Sequence, residues 1–340
     1  MTIENKKPTL TDYFEYVDRR IRNMREDGET SFRVRAGGQV IEMRFLNAVN
    51  AQIASRFMVG MITDSVCPPD ALFYYWTEDC NNYLPITSQG NTSAVWQSRD
   101  NTGYLRITPR SGMVGVDCVR NNFYFCRQPS ETTEYMLYGH AMIMQFGQWA
   151  ARNGMLLLHS ACIGLNGKGV MISARGGEGK STLAVSCLLD GFEFVADDVL
   201  LVNQKGPLKG MPLYRTVGLN QDMNETLKPE LTVVQSNPHR NGKLLLDASG
   251  YEFCSELPVL AILYPHISDD SKPSMRQIAP GKVLAKIIDS TATLIGVFRD
   301  PEIYRLMAQR LLGIPVFELN LCRDLERNKE FVKSFIIEEL

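Results

Sequence analysis

The spacing of apolar positions along this chain changes period several times, and each change marks a candidate element. Residues 1 to about 30 are mostly polar, with a charge-rich piece from Asp18 to Asp27, and read as an exposed helical segment. From Ser31 the texture becomes strand-like. Ser31–Arg35 and Val40–Phe45 flank Gly37-Gly38, a hairpin pattern, because glycine accepts the positive φ that a two-residue turn demands. Further strands are expected at Leu72–Trp76, Tyr104–Thr108 and Asn122–Cys126, separated by Asn, Gly, Pro and Ser clusters, with a helix near Ala51–Met58. The aromatic run Phe73-Tyr-Tyr-Trp76 reads as a core strand rather than a binding face. The period then becomes helical over Thr132–Arg152, where Tyr135, Met142, Ile143, Phe146 and Trp149 recur until Gly154 ends the run. That stripe predicts the core-facing side of a connecting helix.

From Met155 short apolar runs alternate with helical ones: Leu156–His159, Val170–Ile172, a helix to Leu189, Phe192–Ala196 and Val199–Val202. Such alternation is the grammar of an α/β core. Lys205 to about Gly242 is rich in Gly, Pro and Asn and reads as a long irregular segment, of a kind that is commonly functional. Strands Val259–Tyr264 and Val316–Leu319, helices near Val283–Ile288 and Pro301–Gly313, and a last helix from about Asp324 complete the chain. The expected layout is a mostly β (α+β) N-terminal module with its connecting helix over residues 1–153, and an α/β domain over 154–340.

Composition narrows the function classes. With 340 residues the chain can bury two cores, and its 36 basic against 38 acidic residues offer no electrostatic case for nucleic acid or an anionic membrane as partner. No run approaches the roughly 18 apolar residues of a membrane span, and Met1–Asp18 lacks the apolar centre and cleavage site of a secretory signal. The eight cysteines (Cys67, Cys80, Cys118, Cys126, Cys162, Cys187, Cys254 and Cys322) form no C-x-x-C pair and no zinc pattern with histidine. They predict a cytoplasmic protein with free thiols and no structural metal, Cys162 and Cys187 being buried.

The strongest chemical signal is Val170-Met-Ile-Ser-Ala-Arg-Gly-Gly-Glu-Gly-Lys-Ser-Thr182. An apolar strand feeds a Gly-rich turn, and Lys180-Ser181-Thr182 open a helix. Glycines let successive backbone N–H groups converge on a polyphosphate, and the helix N-terminus adds its positive dipole end. The pattern G-x-x-x-x-G-K-[ST] is met except at its first position, which is Ala174. Gly176, Gly177, Glu178, Gly179, Lys180, Ser181 and Thr182 are therefore the candidate nucleotide-binding residues, with Lys180 on the outer phosphates and the Ser181 hydroxyl on Mg²⁺. About fifteen residues on, Phe192-Glu-Phe-Val-Ala-Asp197-Asp198 ends an apolar strand in paired carboxylates. A phosphoryl-transfer enzyme needs one carboxylate for its metal and a group that orients or deprotonates the attacking hydroxyl. His159, before the turn Asn166-Gly167-Lys168-Gly169, is the remaining candidate beside the loop.

His159-Ser-Ala, Gly167-Lys-Gly-Val, the loop to Thr182 and Ala196-Asp-Asp-Val together resemble the HPr kinase family, which shares its nucleotide core with phosphoenolpyruvate carboxykinases. The resemblance runs from about Leu156 to Val202. It implies a C-terminal α/β kinase core of that type carrying a P-loop, with ATP and Mg²⁺ as cofactors. It further implies Asp197 as general base, Asp198 as metal ligand, and His159 near the transferred phosphoryl. The Gly-rich C-terminal signature of HPr kinases has no match here, and the N-terminal module is unlike theirs. The layout is closer to the HPr kinase-like proteins of peptide biosynthesis, some of which phosphorylate a precursor Ser. In those relatives a Pro-containing segment and a later Lys lie near the site, which points to Arg215 of Met211-Pro-Leu-Tyr-Arg215 and Lys243 of Arg240-Asn-Gly-Lys243.

The expected function is an ATP-dependent kinase acting on a hydroxyl, of a peptide or protein Ser or of a small molecule. The alternative is a nucleotide-binding regulatory or assembly ATPase without an acceptor. Asp247-Ala-Ser-Gly250 fits D-x-x-G, but no N-K-x-D guanine-reading motif follows, so a GTPase ranks lower. Carboxykinase activity ranks lower still, because no further set of carboxylate- and metal-binding residues is visible. The N-terminal module remains open to substrate recognition, partner binding or a homo-oligomer interface.

Overall fold

The computed structural model describes residues 9–24, 28–83, 94–97, 103–108, 112–129, 140–237, 243–295 and 301–340. Its internal contacts divide the chain into two compact units, Met1–Met58 with Ile62–Gln145, and Val59–Met61 with Phe146–Leu340. It is a mixed α/β protein with several sheets.

The first unit begins with helix α1 (Leu10–Met24), whose Phe14, Val17 and Ile21 are buried. Their spacing of three and four residues makes one apolar stripe, so the expected exposed helix is instead amphipathic and half sunk in the core. The apolar minority of a charged segment decides where it packs. Asp18 fastens this helix by accepting from the Tyr124 hydroxyl at 2.7 Å and from Arg120 at 3.0 Å. Strands β1 (Thr30–Ala36) and β2 (Gln39–Phe45) form the expected hairpin, with φ of 52° at Gly37 and 79° at Gly38. Helix α2 (Ala48–Phe57) is capped by Asn47, whose side chain accepts from the Val49 and Asn50 amides. Strands β3 (Ala71–Thr77), β4 (Ala94–Gln97), β5 (Gly103–Thr108), β6 (Gly112–Asp117) and β7 (Asn122–Arg127) complete one seven-stranded sheet of order β1-β2-β3-β7-β6-β5-β4. Phe73, Tyr74, Tyr75 and Trp76 are all buried, as a core strand requires.

Of the predicted connecting helix, residues 130–139, including Tyr135, lie outside the described residues; His140–Met142 turn, and helix α3 covers Ile143–Arg152. In the second unit, β8 (Met155–Leu158), β9 (Ala161–Leu165) and β10 (Lys168–Ile172) lead to α4 (Lys180–Leu189), β11 (Glu193–Ala196), β12 (Leu200–Asn203) and β13 (Lys209–Pro212). The segment expected to be irregular to Gly242 is largely regular: besides β13 it holds β14 (Thr216–Leu219), α5 (Gln221–Leu227) and β15 (Thr232–Asn237), while 238–242 lie outside the described residues. Strands this short, β13 and β14 each holding a glycine, are stabilised by their neighbours and leave little periodic signal of their own. Next come β16 (Lys243–Asp247), β17 (Leu257–Ile267), β18 (Ser274–Ile278), α6 (Gly281–Ile295), α7 (Pro301–Leu311), β19 (Val316–Leu321) and α8 (Leu325–Ser334). Asp324 caps α8 by accepting from the Arg327 amide.

Long β17 organises the larger sheet. It pairs in parallel with β10 and with β19, and antiparallel with β13 at its start. Parallel pairing points the C-terminal ends of β10, β17 and β19 the same way, with β10 ending opposite Leu263, and the Gly-rich loop leaves from that side. Strand β9 forms an antiparallel hairpin with β10 through Asn166 and Gly167, both at positive φ, and pairs with β11 on its other side. The strand that ends next to His159 is β8, which pairs with β12; β9, not the His159 strand, is the hairpin partner of the loop strand. A smaller sheet, β14-β16-β15, shares a core with α4 and α8, in which Ile163, Ile172, Leu188, Val217, Leu246, Leu263 and Ile336 are buried.

Candidate active site

Each arm of the site is set by backbone geometry. The Ser173 amide still continues the sheet, donating to the Leu263 carbonyl at 3.0 Å, after which the chain turns away through Ala174 to Gly179. Gly177 and Gly179 adopt φ of 88° and 85°, left-handed values that cost other residues about 1 kcal/mol or more. At Gly179 a Cβ would also come within 2.9 Å of Leu321 Cδ1, whereas Cβ atoms at Gly176 and Gly177 would meet open space. The loop is thus packed against β19 on one side and open on the other. Gly179 is the N-cap of α4 and has no side chain with which to cap it. The first amides of the helix are left to a ligand or water, the arrangement that favours an anion.

The side chains behind this turn form a compact charge cluster. Lys180, on the first turn of α4, is buried and donates from Nζ to Asp197 Oδ1 at 3.2 Å and to Asp198 Oδ1. Asp197 Oδ2 accepts from the Gly218 amide of β14 at 3.0 Å, so both its oxygens are oriented. Asp198 takes φ of 66°, an uncommon conformation for a side-chain-bearing residue, though one that Asp tolerates better than most. This turns the chain directly after β11, letting adjacent carboxylates serve one cluster. Asp198 Oδ2 accepts from Lys243 Nζ at 2.8 Å, and His159 Nε2 lies 3.6 Å from its Oδ1. Burial by itself would push Asp198 up; Lys180, Lys243 and His159 outweigh it and hold the carboxyl well below the usual range. Burial likewise works against a charged Lys180, but Asp197 and Asp198 keep its ammonium above the ordinary lysine value.

The expected residues thus separate into groups. Lys180, Asp197, Asp198, His159 and Lys243 converge, with Ser181 Oγ 3.5 Å from Lys243 Nζ. Glu178 instead reaches sideways: its carboxylate is 3.4 Å from the Ile267 amide and 3.7 Å from His266 Nδ1. Thr182 is half-buried on the first turn of α4. Arg215 goes elsewhere, its guanidinium stacking over the Phe253 ring at 4.9 Å. In β14 the open Cα face of Gly218 looks onto Lys243 while Val217 packs in the core that contains Phe253; Arg215 lies just before the strand, two residues from Val217. Asp247 accepts from the Ser249 amide at 2.8 Å and makes a turn at the end of β16.

Two contributors, Gly218 and Thr291, escape a linear reading. Gly218 both donates to Asp197 and leaves room for Lys243, since a Cβ there would sit 2.2 Å from Lys243 Cε. A glycine inside the apolar run Thr216-Val-Gly-Leu219 was the available signal, because such glycines often mark a close approach. The His159 backbone is held by a pair of contacts: its amide donates to Thr291 Oγ1 at 3.0 Å, and its carbonyl accepts from Ser173 Oγ at 3.3 Å. Ser160 Oγ and Ser173 Oγ share a 2.5 Å hydrogen bond next to it, while His159 Nδ1 is buried with no hydrogen-bond partner among the described residues.

The cluster fits a polyphosphate and a divalent cation in chemistry. Open glycines and an uncapped helix start suit phosphate oxygens, and a carboxylate with a neighbouring hydroxyl suits magnesium, which keeps several waters and takes only one or two protein carboxylates. No group of three or more His, Cys, Asp and Glu side chains assembles as a metal cluster among the described residues. No helix among them is long and apolar enough to cross a membrane.

No protein-family model matches the chain, and no curated protein matches it. Among solved structures, the HPr(Ser) kinase/phosphatase from Coxiella burnetii is similar over 54% of this chain and 95% of its own, at 13% identity and a TM-score of 0.30. At that score the likeness decides neither fold nor function.

Proposed function

We propose that the second unit is an ATP-dependent phosphotransferase whose acceptor is a hydroxyl, of a peptide or protein Ser or of a small molecule. The observation that carries this reading is the meeting of Lys180, Asp197, Asp198, Lys243 and His159 at a Gly-rich turn between a strand and a helix. A bound ATP would supply the γ-phosphoryl group, its bond to the bridging oxygen breaking with the electron pair leaving on the diphosphate, while Mg²⁺ on Ser181 and Asp198 would neutralise developing charge. Gly176 to Thr182 offer backbone amides to the phosphates, and Lys180 adds its ammonium. Asp197 is the general base. Its Oδ2 is anchored by Gly218, and its Oδ1 accepts the hydroxyl proton once Lys180 turns from it to the phosphates. His159 and Lys243 lie on the Asp198 side, where positive or hydrogen-bonding groups stabilise a transferring phosphoryl.

The test is incubation with γ-labelled ATP, Mg²⁺ and pools of peptides and small hydroxyl compounds. Label is expected in an acceptor with the wild type, and to vanish with Lys180→Ala. Asp197→Asn should bind nucleotide yet lose transfer by about 10²–10⁴-fold, the usual contribution of a general base. Free phosphate as the sole labelled product would refute the transferase reading, and near-wild-type transfer by Asp197→Asn would refute the base.

A further inference from the structure

The Lys243 ammonium sits between the two groups to which the metal is assigned, 2.8 Å from Asp198 Oδ2 and 3.5 Å from Ser181 Oγ. A magnesium ion bonds oxygens at about 2.0–2.1 Å and brings its own waters, so it and the ammonium exclude one another from that space. The lysine is led there by the fold. It is the first residue of β16, and its side chain crosses the bare face of Gly218, whose missing Cβ would fall 2.2 Å from Lys243 Cε. Charge counting gives the same picture. Two ammonium groups, Lys180 and Lys243, neutralise two carboxylates, Asp197 and Asp198, at a site where the side chains of Lys180, Asp197 and Asp198 are no more than 8% exposed. Removal of such a balance without replacement is costly, because each buried charge needs a partner.

We infer that Lys243 is a resident counter-cation that holds the metal position and must be displaced when a divalent ion binds, so that metal entry and the release of Lys243 from Asp198 are one event. The inference rests on the proposed magnesium role of Ser181 and Asp198. Its consequence is a charge exchange. The cation that arrives takes over Asp198, and the two released ammonium groups face the net negative metal–nucleotide. A divalent ion alone then competes with Lys243 and binds weakly, whereas a metal–nucleotide offers the displaced lysine a new anionic partner. The site favours the complete complex over its parts.

The experiment measures Mn²⁺ affinity by electron paramagnetic resonance without nucleotide, in the wild type, Lys243→Met and Gly218→Ala. Methionine keeps the length and apolar stem but removes the charge. Gly218→Ala keeps the lysine but places a methyl in its path, and the clash is with the far end of a flexible chain that can move aside. At least tenfold tighter Mn²⁺ binding is expected for Lys243→Met, a gain in the same direction for Gly218→Ala, and loss of the gain when Asp198→Asn is added. Equal affinity in all three proteins, including none detectable, or weaker binding in the variants, overturns the inference. Should Lys243→Met fail to fold, the Gly218→Ala result decides by itself. Binding of a fluorescent ATP analogue with Mg²⁺ to the wild type is measured in parallel. Tighter Mn²⁺ binding in the variants with no nucleotide binding in the wild type would sink the phosphotransferase reading while leaving the Lys243 assignment intact.

Discussion

Replacing Lys180 by methionine removes the ammonium that ties the two carboxylates together while nearly preserving side-chain volume. The side chains involved are deeply placed: Lys180 is 8% exposed, Asp197 0% and Asp198 8%. Breaking a buried pair by deleting one partner costs about 3–5 kcal/mol, since a charge is left uncompensated. Here Asp198 keeps Lys243 and His159, and Asp197 keeps the Gly218 amide, which argues for the lower end, about 3 kcal/mol. With a urea slope of about 2 kcal/mol per molar, the midpoint for the second unit should fall by about 1.5 M at pH 7. The pH dependence supplies the sharper check. In the wild type the Asp198 pKa is lowered in the folded state, so its contribution is complete above the unfolded value of about 3.9 and fades as pH falls towards the folded value. Without Lys180 that depression shrinks, so the folded variant takes up protons at a higher pH than the folded wild type. The difference between the proteins should therefore be full at neutral pH and narrow below about pH 4. A loss under about 1 kcal/mol at pH 7, or a gap that stays constant down to pH 3, would refute a lysine held by ionised carboxylates.

Two other perturbations probe the scaffold. Gly169→Ala in β10 would bring a Cβ within 2.3 Å of the Pro258 carbonyl oxygen and 2.8 Å of Leu257 Cγ, so backbone must move beneath the loop; a loss of about 1–3 kcal/mol is expected by thermal or urea denaturation, and an unchanged midpoint would contradict the packing. In the native protein a thiol reagent should modify exposed Cys67 well before Cys162 and Cys187, which are buried and whose thiols burial pushes up; mass spectrometry showing the two buried sites labelled first would contradict it.

How much was legible in the sequence varied with the range of the interaction concerned. Gly37-Gly38 and Asn166-Gly167 declared their hairpins because positive φ is a property of the residue itself. The Gly-rich turn before α4 was visible for the same reason. By contrast, α1 read as exposed because its three buried positions are few among charges, and β13 to β15 read as loop because such short strands are made by their partners. Lys243 could be nominated by analogy, but nothing within the chain near residue 243 says what its ammonium touches. The same analogy nominated Arg215, whose guanidinium stacks on Phe253 instead.

Residues close together in the chain set the local chemistry: a strand, a glycine turn able to bring amides together, a lysine at a helix start, and a carboxylate pair ending the next strand. Those features depend on φ preferences and hydrophobic runs within a few residues of one another. Which of these groups act on one another is settled by the packing of distant strands and helices. Asp198 meets Lys243 across 45 residues, Asp197 meets the Gly218 amide across 21, and His159 is held by Thr291 across 132. Such meetings depend on sheet order, strand register and the face each residue presents. A one-residue slip reverses every face in a strand, and no local pattern encodes the partner on which that register is set.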